Sequence, residues 1–288
     1  MSAQQPRHAF FAIHSAVLLF ALSGLFAKWL TVPALVIVLG RTFFAGTFLL
    51  VLLFGINRAA LKLKKVHLRA FFVSGLLLAL HWFSFFNAIQ LSTVGFGLLA
   101  FATFPVFTSF IEPLVNKAGF QPSSVIQGVI IFVGIGLIFP TDVAINTSLQ
   151  ALVYGLLSAF SFAILVVWNR QLTRQYKPYT LACYQNLFAF VVLLPFALSQ
   201  PISLQTSELS MLIILGIVFT AFSHSLLNYS LRSITAFYAS VAISLEPIYG
   251  ILAAWFLLNE TLSVQGIIGA MLVLIVSIYA SVTREKTI

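Results

Sequence analysis

Charge is what this sequence has least of. Only 7% of its 288 residues are Asp, Glu, Lys or Arg, against about 25% in an ordinary soluble domain. Meanwhile 61% are hydrophobic and the mean hydropathy is +1.08. So few charges cannot build a water-facing surface, so a soluble fold is excluded and an all-α integral membrane protein is expected. Cysteine is nearly absent: Cys183 stands alone in an apolar run, which excludes an internal disulfide. No G-x-x-x-x-G-K-[ST] loop occurs, so nothing here would couple work to nucleotide hydrolysis. No Ser/His/Asp arrangement argues for an enzyme. Three histidines inside apolar runs, His14, His81 and His224, with no paired cysteine make a poor metal site. Neither cofactor nor metal is expected. The net charge of +9 comes from basic residues dispersed into short loops, a pattern that orients membrane helices rather than one that binds nucleic acid.

What is present is a succession of apolar runs bounded by charge, Pro, Asn or Gly. They give ten candidate transmembrane helices, at about 9–30, 34–55, 68–90, 93–116, 122–140, 149–171, 178–199, 208–230, 235–258 and 263–283. Arg7 followed by an apolar run imitates a signal peptide, but the run continues to Leu30 and is kept as the first span. Charge placement tests the count independently. With a cytoplasmic N-terminus, thirteen of the fifteen basic residues fall on the inside, among them Arg58, Lys62, Lys117, Arg170, Arg174, Arg232 and Arg284. Asp142, Glu208 and Glu260 fall outside, and only Lys28 and Arg41 are left within spans. Both termini are therefore expected to be cytoplasmic.

The halves also resemble each other. The stretch from Gly75, GLLLALHWFSFFNAIQLSTVGFGLLAFATFPVFTSF, pairs with the stretch from Gly216, GIVFTAFSHSLLNYSLRSITAFYASVAISLEPIYGIL. Asn87 matches Asn228, Ser92 matches Ser233, Phe96 matches Phe237 and Pro105 matches Pro247 after a one-residue shift, while Pro33 and Pro178 open the second helix of each half. An odd number of helices per half requires opposite insertion, so residues 1–141 and 142–288 are expected to be inverted five-helix repeats, a recurrent design of secondary transporters.

The most informative stretch is 235–258, TAFYASVAISLEPIYGILAAWFLL, with Glu246-Pro247 at its middle. A carboxylate at mid-membrane costs roughly 2.5–3.5 kcal/mol or more, and proline removes a backbone donor and kinks the helix. On a helical wheel Thr235, Ala239, Ala242 and Ala253 fall within about 40° of Glu246. This reads either as close packing with the carboxylate paired or protonated, or as the wall of a transport cavity.

The stretches SGLFAKWLTVPALVIVLGRTFFAG (23–46) and LEPIYGILAAWFLLNETLSVQGIIGAMLVLIVSIY (245–279) resemble the drug/metabolite transporter superfamily, in its EamA-like ten-helix branch. The resemblance covers essentially the whole chain. It implies ten helices around a central cavity and alternating access by rocking of the repeats. It names no substrate, since the branch handles amino acids, other metabolites and toxic organic compounds. Lys28 and Arg41 match the basic positions of its first repeat, and Glu246, Pro247 and Glu260 the pattern of its second. The first repeat departs from that pattern: Phe104 stands before Pro105, and Asn116-Lys117-Ala118 replaces Asn259-Glu260-Thr261.

Several residues are candidates for substrate contact or coupling. Arg41 lies a third of the way into its span and reads as a structural pair or a substrate ligand. Lys28 lies near a helix end and reads as snorkelling or cavity-facing. His14 and Lys28 are fourteen residues apart, so one helix face could carry both. His224, Asn228 and Arg232 make a polar stripe, and helix-to-helix hydrogen bonding is the plainer reading of it and of His81. Trp82, Trp168, Tyr184, Tyr238, Tyr249 and Trp255 are candidate cavity aromatics, alongside their ordinary roles in packing and interface anchoring. Pro105 and Pro247 are candidate helix breaks. If Arg41 or Lys28 shares a cavity with Glu246, both signs of charge suit a zwitterion. The leading expectation is thus a secondary-active transporter that exports or exchanges small metabolites, amino acids first, with protons a candidate coupling ion. The nearest rival is a multidrug or organic-cation exporter; more distant are a membrane-embedded enzyme, a lipid-handling protein and a structural subunit. The expected setting is a cell membrane, the bacterial inner membrane first, as monomer or homodimer.

Overall fold

Proline has no backbone donor to lose at a helix start, and two prolines mark such starts here. Pro33 caps α3 (Ala34–Ile56) and Pro178 opens α9 (Pro178–Leu198). The computed structural model describes residues 4–116, 123–139, 144–199, 202–234, 239 and 242–283. Every regular element among them is helical. In chain order the others are α1 (Gln4–Ser23), α2 (Phe26–Trp29), α4 (Leu68–Gln90), α5 (Val94–Phe101), α6 (Phe104–Asn116), α7 (Ser123–Ile138) and α8 (Ile145–Leu172). Then follow α10 (Thr206–Gly216), a π-helical stretch (Ile217–Phe222), α11 (Ser223–Ser230), α12 (Glu246–Leu258) and α13 (Val264–Thr283).

Seven helical segments among the described residues are long and apolar enough to cross a membrane: His8–Trp29, Ala34–Ile56, Lys65–Gln90, Val94–Val115, Ile145–Leu172, Pro178–Leu198 and Thr206–Ser230. Three shorter apolar helices accompany them, Val125–Ile138, Glu246–Leu258 and Val264–Tyr279. The chain is a multi-pass membrane protein.

Three spans read as continuous are interrupted. The first turns at Gly24–Leu25 between α1 and α2, where Leu25, Ala27 and Lys28 make three-residue hydrogen bonds back to Leu22, Gly24 and Leu25. The fourth breaks at Ala102–Thr103, and Pro105 takes the second position of α6, where its missing N–H costs nothing. The ninth breaks at Ser244–Leu245, and Glu246-Pro247 begin α12 instead of standing inside one long helix. That corrects the expectation of a kinked 235–258 helix; Thr235, Phe237 and Tyr238 lie outside the described residues. So do Lys117, Asp142, Arg284 and Lys286.

Packing pairs helices from the two halves: α4 with α8, α1 with α11, α6 with α8, α1 with α12, α5 with α12, α3 with α9 and α7 with α13. A continuous apolar core runs through α1, α3, α4, α5, α8 and α9. The α7–α13 crossing depends on absent side chains. A Cβ at Gly269 would strike the Gly134 carbonyl oxygen and lie 2.7 Å from Ile138, and one at Gly134 would lie 2.9 Å from Val273. Close approach of small residues is the usual substitute for a hydrophobic drive between helices in lipid. Gly269→Leu should therefore push α13 off α7, costing about 1–3 kcal/mol and lowering the unfolding midpoint in detergent by roughly 2–10 °C. Reaction of a thiol dye with the buried Cys183 reads the midpoint, and an unchanged value would refute the close crossing.

Candidate functional site

A guanidinium inside a membrane protein must be met by oxygen atoms or π faces. Arg41, two turns into α3, is 0% exposed. Its Nε donates to Thr220 Oγ1 at 3.0 Å and its Nη2 to the Phe219 carbonyl oxygen at 3.5 Å. Both acceptors belong to the π-helical stretch. There Thr220 Oγ1 donates to the Leu215 carbonyl oxygen at 2.7 Å, and Ser223 Oγ to that of Phe219 at 2.7 Å. Hydroxyls that bond backward to carbonyls loosen the α ladder, and π turns gather where a helix must present backbone oxygens to something else. Gly216 lets the two helices meet, since a Cβ there would lie 2.6 Å from Phe44 Cβ and 3.0 Å from the Arg41 carbonyl oxygen. The flat face of the guanidinium lies on Trp82, with Cζ 3.4 Å from the ring centroid, and Phe86 follows at 5.3 Å. Such a stack is worth about 2 kcal/mol when desolvated.

Glu246, first residue of α12, is 3% exposed. It borders a cavity of about 10 Å³, room for about one water, whose other walls are Phe20, His81, Trp82, Phe85, Phe101 and Phe162. Trp82 thus joins the two charges: Arg41 stacks on the ring, and the ring borders the cavity of Glu246. The charges attract each other, yet among the described residues no ion pair within 4.0 Å joins them. His81 and His224 complete the assembly, and both feel the charge of Arg41. His81 Nδ1 lies 2.9 Å from Ser158 Oγ and 3.2 Å from the Ser158 carbonyl oxygen, its ring set among Trp82, Phe101 and Phe162. His224 meets Phe20 edge-on at 5.3 Å. Among the described residues, Arg41 Nη1, Trp82 Nε1 and His224 Nε2 are buried without a hydrogen-bond partner. The result is a closed aromatic chamber with a cation on one flank, a carboxylate on another and spare donor or acceptor capacity between them.

The remaining candidates sit elsewhere. Lys28 is exposed, its Nζ donating to the Ser92 carbonyl oxygen at 2.5 Å, and it feels Glu260. Glu260 in turn accepts the Val94 N–H at 2.9 Å, at the start of α5. This cluster ties one end of the bundle and is not part of the chamber. His14 is half-buried with its ring on Phe10, 4.3 Å away. The face proposed for His14 and Lys28 does not exist, because the turn at Gly24–Leu25 resets the helical phase between them. Asn228 is buried one turn beyond His224 and its Nδ2 donates to the Pro178 carbonyl oxygen at 3.5 Å, tying α11 to the start of α9. Arg232 lies past the end of α11, exposed. Tyr249 packs half-buried against the core. Of the candidate aromatics among the described residues, only Trp82 lines the chamber; Tyr184 donates to the Leu61 carbonyl oxygen and Trp255 is 51% exposed. Small residues were expected beside Glu246, but phenylalanines surround it. Phe20, Phe85, Phe101, Phe162, Ser158 and Thr220 were not foreseen. With thirty phenylalanines in the chain, only contact in three dimensions separates these four from the rest.

Similarity to known proteins agrees with this architecture. Two proteins of Archaeoglobus fulgidus, each described as an uncharacterized transporter, are 27% and 25% identical over 113 and 123 residues. Those stretches take in 39% and 43% of this chain and less than half of the relatives' own length, 40% and 44%. A Haemophilus influenzae protein of the same description is 30% identical over 41% of this chain and 72% of its own. A solved structure described only as a crystal structure of a protein shares the fold, with a TM-score of 0.69 over 99% of both chains at 14% identity. The EamA-like transporter family model matches residues 8–139 and again 149–282, and the chain belongs to that family.

Proposed function

We propose that this transporter moves small zwitterionic metabolites, amino acids first, by export or exchange, with the chamber around Trp82 as the binding site. The observation that carries this is the pair of opposite charges that share Trp82 without touching. Arg41 has a free Nη1 to offer a carboxylate, and Glu246 faces the cavity to receive an ammonium group. A substrate bearing both signs would complete two interactions at once, each worth about 1.5–3 kcal/mol as a charged hydrogen bond. The rings of Phe20, Phe85, Phe101 and Phe162 would receive its apolar part.

Alternating access suits the same features. A chamber with room for about one water must open before it takes a metabolite, and the chain breaks beside it at Ala102–Thr103 and at Ser244–Leu245. Two pairings have counterparts, α4–α8 in α11–α1 and α6–α8 in α12–α1, while α3–α9 and α7–α13 pair across the halves. That pattern supports two inverted repeats, ten spans and a rocking motion about the site. The transported solute would pass the bilayer with Glu246 as partner of its ammonium or as the proton site.

One observation favours an organic cation instead: four phenylalanine rings beside a lone carboxylate make a good cage for a large cation. Counterflow in proteoliposomes separates the readings, using labelled amino acids and organic cations with and without a pH gradient. The wild type should exchange amino acids saturably, and Glu246→Gln should weaken exchange about ten-fold or more. Cation exchange alone, or coupled amino-acid exchange untouched in Glu246→Gln, would sink the zwitterion reading. Arg41→Lys keeps the charge but loses the planar stack and the forked donors. It should raise the half-saturating concentration for amino acids about ten-fold while sparing organic cations; equal loss of both would remove Arg41 from substrate recognition.

A further inference from the structure

At the opposite end of the bundle from Lys28 and Glu260 lies a second polar feature, separate from the chamber around Trp82. The ends of α8 and α11 enclose a pocket of about 430 Å³ lined by Arg170, Thr173, Arg174, Leu231, Arg232, Ser233 and Ile234. Arg174 and Arg232 are exposed there, and no carboxylate is among the described lining residues. Its counterpart at the other end is built differently. Ser92 stands at the position that corresponds to Ser233 and Lys28 near the one that corresponds to Arg174, and there the lysine is met by the Ser92 carbonyl oxygen and by Glu260. The described lining of the pocket thus concentrates cationic charge, whereas the lysine at the other end is met by an acid.

We propose that this pocket binds the phosphate of an anionic phospholipid headgroup. Guanidinium groups match the oxygens of a phosphate in pairs, and basic pockets between transmembrane helices hold anionic headgroups. The volume exceeds what a bare phosphate fills and suits a glycerophosphate. Leu231 and Ile234 give the pocket an apolar side for the glycerol and first methylenes. The pocket terminates two helices that span the membrane, on the face where the dispersed lysines and arginines put the cytoplasmic leaflet, so the phosphates nearest to it are those of lipids. This inference does not depend on what the central chamber carries.

Native mass spectrometry of the full chain, released from mixed micelles with phosphatidylglycerol or phosphatidylcholine, tests it. The wild type should retain phosphatidylglycerol preferentially. Arg174→Gln with Arg232→Gln should weaken that retention roughly ten-fold, and the double lysine variant should recover part of it. Arg58→Gln with Lys62→Gln, on another part of the same face, should leave it unchanged. Gel filtration and far-ultraviolet circular dichroism check that each variant folds, and either single arginine variant replaces the double one if it does not. Equal retention of the two lipids, or an equal loss in the Arg58/Lys62 control, would overturn the site. Displacement of phosphatidylglycerol by millimolar inorganic phosphate or glycerol phosphate, with no preference for the lipid, would keep the phosphate chemistry but reassign its source to a soluble ion.

Discussion

A charge held fully out of water needs its hydration replaced by fixed dipoles and π faces, and in this bundle the guanidinium of Arg41 sets that demand on three helices at once. The helix that carries Thr220 and Phe219 gives up regular α geometry so that a hydroxyl and a carbonyl can turn toward Arg41. Its neighbour α4 supplies the indole of Trp82 as a floor. Gly216 removes a side chain that would hold α3 and α10 apart. Glu246 answers the remaining charge from a distance. It is therefore free to take a second partner, which a carboxylate in a tight ion pair would not be.

The two chain breaks beside the chamber look alike in backbone and differ in chemistry. Each places a proline second in the helix that follows, Pro105 in α6 and Pro247 in α12. The residue before it is Phe104 in one case and Glu246 in the other. Phe104 is fully buried, its ring stacked on Phe101 at 5.3 Å and edge-on to Phe162, so the first half of the chain contributes wall where the second contributes charge. Among the described residues the chamber consequently has a single carboxylate, set on one flank only.

Much of the scaffold was legible in the sequence because hydropathy and proline act locally. Seven of the apolar runs recur as helices long and apolar enough to cross a membrane, with Pro33 and Pro178 at helix starts. Arg41, His81, His224 and Glu246 could be named as chemistry-bearing because an ionisable group in an apolar run is conspicuous. The setting of those residues was not legible. Phenylalanine in a membrane helix faces lipid, packs or lines a cavity with the same letter, so Phe20 and Phe162 carried no signal. The grouping of His14 with Lys28 failed because a helical wheel assumes unbroken winding, and two residues at Gly24–Leu25 are enough to break it. Arg174 reads as an orientation charge and Arg232 as one that also ends a polar stripe, and neither role says whether the two converge on one pocket.

The π turn between Ile217 and Phe222 also sets a phase. It takes in one residue more than an α turn, which rotates everything beyond it by about 100° relative to an unbroken helix from Thr206. His224 and Asn228 owe their inward bearing to that offset as much as to their own positions in the chain. Rewinding the segment into plain α-helix would swing the histidine away from Phe20 and withdraw the Phe219 oxygen from Arg41 in the same movement. One hydroxyl, that of Thr220, bonds on both sides of this arrangement. It acts as a ratchet pawl, holding the helix in the one angular setting in which its polar face and the buried cation are in register.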